Sequence, residues 1–386
     1  MKKILFFIGS RANYSSIKSV MQEVKKKKLL KLQIILGASG LINKYGELEK
    51  SLKKDGFKID KKIYFLIEGE NPVTMAKSTG LGLIGIADAL DELKPDLVFT
   101  VGDRFETMAT TLATSYMNIP LAHTMGGEVS GTIDESIRHA ITKFSHIHFP
   151  ASKEAEKRIY MLGEEKKNIF NFGCPRMDLV KRELKKNRID KLNKTLFFEG
   201  VGNKIDLKKK YLIVSQHPVT TEYESSETQI LNTLKAVNMT NMQVIVIWPN
   251  ADAGSQEIAK GIRKWREKID TKKMHFFKML LIDDYIQLLK NTSCLIGNSS
   301  SGIRECAFIG TPVVNIGTRQ NGRERAKNVI DTNHKVKNIY NAIQKQLTKG
   351  KKYKSSGMYG KGDTAKKIVD KIIELKKINV QKKIRY

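Results

Sequence analysis

"KILFFIG" (residues 3–9), followed by "YSSIKSVMQEVKKK" (14–27), decides the fold class. The first stretch is a short, unbroken apolar run closed by a glycine, which reads as a buried strand; the second is a longer helical pattern. The pair recurs as "LQIILGAS" (32–39) with "YGELEKSLKKDG" (45–56), and as "DLVFTVGD" (96–103) with "ETMATTLATSYMN" (106–118). Strand then helix, repeated, predicts a parallel sheet with helices on both faces. The rhythm pauses across the lysine-rich 181–210 and resumes with "YLIVSQHP" (211–218), "MQVIVIWPN" (242–250), "SCLIGNSSS" (293–301) and "TPVVNIGT" (311–318). At 386 residues the chain exceeds what one core usually serves. The expected architecture is α/β: two Rossmann-type doubly wound domains, 1–180 and 181–365, joined near 180–210 with a cleft between them. The remainder, 366–386, reads as a terminal amphipathic helix, apolar at Ile368, Ile372 and Ile373, with a basic tail, and it is expected to pack across the domain junction.

Composition narrows the function classes. The formal charge of +29 invites a nucleic-acid reading. The lysines, however, are dispersed over helical faces and tails without interleaved aromatics or a recognisable nucleic-acid motif, so that reading ranks last. Attraction of an anionic substrate is a by-product of the same field. The apolar run behind Met1 spans only six residues and ends in Gly9-Ser10-Arg11, a first strand rather than a signal peptide. No stretch nears the roughly 20 apolar residues of a membrane span. Cys174, Cys294 and Cys306 are odd in number, far apart and without a C-x-x-C pair, which argues against a disulfide framework or a zinc site and for a reducing cytoplasm.

Ligands of open α/β sheets gather at the carboxyl ends of strands, and that rule selects the polar loops. "GNSSSGIRE" (297–305) places Ser299, Ser300 and Ser301 before a helix, which serves either as a phosphate cradle or as ordinary capping. Glu305, one turn on, would repel phosphate but suits a ribose diol. The Lys-Ser/Thr element of a P-loop is missing. Arg11, in a turn with Ser10, Ser15 and Ser16, and Arg319, after "VVNIGT", are either surface arginines or forks on a diphosphate. Asp103 ends a strand as helix cap, metal ligand or acid/base group. His217 precedes Pro218, which holds it extended, either as a structural residue or as a donor to a leaving phosphate. In "HTMGGEVSGTIDESIRHAITK" (123–143), Asp134 or Glu135 caps the following helix unless it does chemistry, and His139 reads as structural. His146 and His148 alternate along a strand and are too few for zinc.

Together, "HTMGGEVSGTIDESIRHAITK", "HPVTTE", "GNSSSGIRE" and "GTPVVNIGTRQNGRE", in this order, resemble the hydrolysing UDP-N-acetylglucosamine 2-epimerases over about residues 4–370. The resemblance implies a GT-B-like fold, a nucleotide held mainly by the second domain, no metal, no NAD or other cofactor, a nucleotide-sugar substrate, and a homodimer or homotetramer. It implies that Ser299, Ser300, Glu305, Arg319 and Asn250 hold the diphosphate and ribose. Arg11, Ser15 and Arg104 complete the diphosphate site, and Asp103, Asp134 and His217 carry the chemistry.

Such chemistry needs these residue types. The C2 hydrogen of an N-acetylhexosamine is not acidic, so its removal requires departure of the nucleoside diphosphate from C1 and a positioned base. The chain departs from the family at Met125, where the resemblance implies a glutamate; a thioether can neither take nor give a proton. Asn13 and Ser16 stand where the family tends to have aspartate and lysine. A GT-B glycosyltransferase and a catalytically silent nucleotide-sugar binder are the alternatives.

Overall fold

The structure is a computed structural model that describes residues 1–43, 48–69, 71–130, 133–249, 254–268, 273–278, 280–350 and 352–383. The chain forms two compact units, one from Met1–Val129, Ile133–Leu179 and the segment from Tyr359 onward, the other from Val180–Met358 with Ser130.

The first unit holds strands β1 (Lys2–Ile8), β2 (Leu30–Gly37), β3 (Lys61–Ile63), β4 (Leu97–Val101), β5 (Leu121–Thr124) and β6 (Ile147–Phe149). They form one parallel sheet in the order β3-β2-β1-β4-β5-β6, the doubly wound order whose direction reverses between β1 and β4. Helices cover both faces, which is why Ile4 through Ile8 are buried without alternation. On one face Phe6 stacks on Phe99 at 4.8 Å and Phe99 on Phe149 at 6.0 Å, tying β1, β4 and β6 into one core.

The second unit holds β7 (Val201–Gly202), β8 (Tyr211–Ser215), β9 (Gln243–Ile247), β10 (Met274–Phe277), β11 (Cys294–Gly297), β12 (Val313–Ile316) and β13 (Val329–Thr332). Their order is β13-β12-β11-β8-β9-β10-β7, parallel except for the antiparallel edge strand β7. Here the winding reverses between β8 and β11. Gly297 ends β11 at φ +127°, and a Cβ there would sit 2.2 Å from the Ser215 carbonyl, so only glycine lets the two strand ends close up.

Two stretches differ from the sequence reading. The lysine-rich 181–210 is ordered structure of the second unit, containing helix Ile189–Phe198 and β7, with Leu192, Leu196 and Leu207 in a buried cluster. Surface lysines masked that short apolar stripe. The terminal helix, Thr364–Glu374, belongs to the first unit together with residues 359–365, which the sequence pattern assigns to the second domain. Ile368, Val369 and Ile372 are buried, Lys27 pairs with Asp370 at 2.8 Å, and the Asp178 carboxylate accepts from the Thr364 and Ala365 amides at 2.9 and 2.7 Å. That carboxylate caps the helix from a distance, since Asp363 at the N-cap position makes no capping bond. Among the described residues, no helix is long and apolar enough to cross a membrane.

Candidate active site

Both winding reversals gather the polar loops. In the first unit these follow β1, β4 and β5. Ser10 caps helix Arg11–Lys26 by accepting from the Asn13 amide at 3.2 Å, so Arg11 is the first helical residue rather than part of a preceding turn. Burial lowers the Arg11 pKa to about 10, which leaves it cationic at neutral pH. One turn on, the Ser15 and Ser16 hydroxyls donate to the Ala12 carbonyl at 3.0 and 2.8 Å. Sequence reasoning missed Arg176. Its Nη2 donates to the Ala12 carbonyl and to the Ser15 and Ser16 hydroxyls at 2.7, 2.7 and 2.6 Å, so a cation stands over Ser16 although the lysine expected at that position is absent. Asn13 also has a use that aspartate could not meet: its Nδ2 donates to the Val101 carbonyl of β4 at 3.4 Å. Gly9 brings the same two loops together, because a Cβ on it would lie 2.5 Å from Cγ of Glu106.

After β4, Asp103 caps no helix. Arg104 occupies the N-cap position of helix Phe105–Tyr116, without a side-chain cap bond, and its Nε pairs with Oε1 of the buried Glu106 at 2.8 Å. Asp103 instead forms an ion pair with Arg138, a guanidinium only 1% exposed. Arg138 Nη1 also donates to the Glu128 carbonyl at 2.8 Å. One arginine thus holds the loops after β4 and β5 in register, and its pattern position inside "SIRHAIT" gave no hint of that. Asp134 and Glu135 lie in the first turn of Arg138's helix, Asp134–Phe144, whose N-cap position is Ile133, so neither is the cap. Asp134 precedes Arg138 by four residues, on one helix face.

His123 of β5 sits under these loops, Nε2 at 2.8 Å from the Gly102 carbonyl and Nδ1 at 3.3 Å from the Thr142 hydroxyl. Burial outweighs the Gly102 bond and lowers its pKa to about 3, so it is a neutral strut beneath Asp103. Met125 follows at φ +62°, a left-handed conformation uncommon for a side-chain-bearing residue, with its Sδ 3.8 Å from the buried Cys174 thiol.

In the second unit the hub is Asn298, fully buried after β11. Its Oδ1 accepts the His217 amide at 2.7 Å and its Nδ2 donates to the His217 carbonyl at 2.8 Å, a reciprocal clamp on the backbone of residue 217. The Asn298 carbonyl accepts Arg319 Nη1 at 3.3 Å and Gln320 Nε2 at 2.8 Å. Ser299 is the N-cap of the four-residue helix Ser300–Ile303; Ser299 and Ser300 are half-buried, and Glu305, fully buried, opens the next short helix. The candidate catalytic residue His217 and the nucleotide candidate Arg319 therefore meet at Asn298, with Ser299 next to it in the chain, while Asn250 lies outside the described residues. Asn298 stood within the quoted "GNSSS", but nothing in a sequence reveals an amide spent on its neighbour's backbone.

Away from the loops, His148 of β6 meets Glu164 at 3.1 Å, and His146, just before the strand, meets the Val380 carbonyl at 3.0 Å. Lys143 and Lys382 reach the same Glu164 at 2.8 and 2.6 Å. Burial pushes that carboxyl up, but bonds from His148, Lys143 and Lys382 outweigh it and hold it at about 2.

Two parallel sheets, each with its polar side chains gathered at a winding reversal, define a GT-B-like protein of paired Rossmann-type domains. The chain belongs to the UDP-N-acetylglucosamine 2-epimerase family, which it matches over residues 22–373. It is similar to the UDP-N,N'-diacetylbacillosamine 2-epimerase (hydrolyzing) of Legionella pneumophila, 34% identical over 95% of this chain and 94% of that one. It is likewise 34% identical, over 90% of this chain and 88% of the relative, to the GDP/UDP-N,N'-diacetylbacillosamine 2-epimerase (hydrolyzing) of Campylobacter jejuni. The crystal structure of the Neisseria meningitidis UDP-GlcNAc 2-epimerase bound to UDP-GlcNAc shares the fold, with a TM-score of 0.80 and 17% identity, over 96% of this chain and all of that one.

Proposed function

We propose that this chain releases a nucleoside diphosphate from a nucleotide-linked 2-acetamido sugar and inverts C2, a hydrolysing 2-epimerisation that feeds nonulosonic acid synthesis. The observation that carries this reading is the donor set around Asn298. An imidazole, a guanidinium and serine hydroxyls at the strand ends suit the charge that grows on a departing diphosphate. On the sugar side, Asp103, ion-paired with Arg138, and Asp134 handle protons. A carboxylate takes the C2 proton while the C1–O bond breaks toward the diphosphate, giving a 2-acetamidoglycal. Water then adds at C1, and a second group returns a proton to the opposite face of C2.

The finer choice of substrate follows from Met125. A buried thioether beside Cys174 offers nothing to a sugar hydroxyl, whereas a 6-deoxy ring tolerates it. The reading therefore favours a UDP- or GDP-linked 2,4-diacetamido-2,4,6-trideoxyglucose over UDP-N-acetylglucosamine, in keeping with the names of the two relatives. Proton NMR in D2O with the three substrates tests both levels. Free manno-configured sugar deuterated at C2, with nucleoside diphosphate released, is the expected result. Equal or faster turnover of UDP-N-acetylglucosamine would overturn the substrate choice. Saturable binding of all three without turnover would favour the silent binder that Met125 alone suggests.

A further inference from the structure

The serine loop after β11 rests on a relay of hydroxyls. We propose that Tyr285 is a positioning residue that fixes the direction of this relay, so that Ser299 presents a proton, not a lone pair, to a phosphate oxygen of the nucleotide. The proposal rests on the nucleotide-sugar reading above and names the residue that sets the polarity of its phosphate contact.

Tyr285 lies on helix Ile282–Asn291, and its hydroxyl is 2.7 Å from Oγ of Ser301. Ser301, 3% exposed, is 2.9 Å from Oγ of Ser299 and also sends its backbone amide to that oxygen at 3.4 Å. Each hydroxyl has one proton and two lone pairs to distribute. A phenol is a stronger acid than an alkyl alcohol, and its oxygen, delocalised into the ring, is the poorer acceptor, so Tyr285 donates to Ser301. Burial pushes the phenol pKa up, which keeps that proton in place.

Having accepted from Tyr285, Ser301 donates to Ser299. Ser299 then spends both lone pairs, one on the Ser301 hydroxyl and one on the Ser301 amide. What remains is its own proton, on a half-buried side chain. A phosphate oxygen only accepts, so this polarity suits it. With the relay reversed, Ser299 would give its proton to Ser301 and turn a lone pair toward the phosphate.

Titration calorimetry with UDP, and GDP in parallel, on wild type, Tyr285→Phe, Ser299→Ala and the double variant tests the proposal. Removing the phenol is expected to weaken nucleotide binding roughly tenfold, the scale of one hydrogen bond to a charged group. The same substitution is expected to cost nothing more once Ser299 is alanine. Ser301→Ala, which cuts the relay without touching the tyrosine, should repeat both results and carries the test if Tyr285→Phe does not fold. Unchanged affinity in Tyr285→Phe, or an equal loss in the Ser299→Ala background, overturns the relay while leaving the functional reading intact. A wild type that binds neither nucleotide overturns the reading, and the relay with it.

Discussion

Glu164 offers a stability prediction that is independent of the chemistry. Its carboxyl is held at about 2 against an ordinary 4.5. At about 1.4 kcal/mol per pH unit that difference corresponds to about 3 kcal/mol. Part is given back, because burial lowers the pKa of Lys382 despite its bond to Glu164, so a net of about 2 kcal/mol is the working figure. A depressed acid stabilises the fold fully above its unfolded value and loses that advantage as pH falls toward its folded one, here from 4.5 toward about 2. Glu164→Gln should therefore speed amide exchange around β6 by roughly thirtyfold at pH 7, at the His146 amide on Leu121 for example, while β8 of the second unit exchanges as before. Mass-spectrometric hydrogen exchange reads both segments in one sample. As the pH is lowered from 4.5 toward 2, the two proteins should converge. A variant within threefold of wild type at pH 7, or a gap that persists at the acid end, would refute the assignment of that stability to Glu164.

Other expectations concern the loops. His217→Asn should lower kcat by about a hundredfold or more, the usual worth of a donor aimed at charge that develops on a leaving group, and a kcat within threefold of wild type would remove His217 from the departure of the diphosphate. Arg176→Met should raise KM by about tenfold at constant kcat, since it strips a cation from the Ser15 and Ser16 turn; a fall in kcat alone would refute that role. Met125→Glu should shift the kcat/KM ratio toward UDP-N-acetylglucosamine by about tenfold over the trideoxy substrate, measured in direct competition, and an unchanged ratio would remove Met125 from substrate choice.

The central strands were legible because each sits between two helical layers and so reads as an apolar run, Ile4 to Ile8 being typical, whereas the part-exposed edge strands β3 (Lys61–Ile63) and β13 (Val329–Thr332) carry no such run. The loops were legible as places, since the chain must present polar groups where those runs stop. Pairings were not. Arg138 occupies an ordinary helical position, and only the three-dimensional meeting of two loops makes it Asp103's partner. Arg176 lies 160 residues from the Ser16 hydroxyl it holds. For the terminal helix, an apolar stripe at Ile368 and Ile372 announces that a partner exists but not which one, so its place against the Arg11–Lys26 helix had to come from the structure.

The return of the chain to the first unit also sets the order of events on the ribosome. Helix Thr364–Glu374 is synthesised after all of Val180–Met358, so the first sheet waits through the making of an entire second unit before its last cover arrives. Until then, the Arg11–Lys26 helix stands without its packing against the terminal helix. The second unit, nearly all of it the single stretch Val180–Met358, can close on itself as it emerges. The half that starts first therefore finishes last.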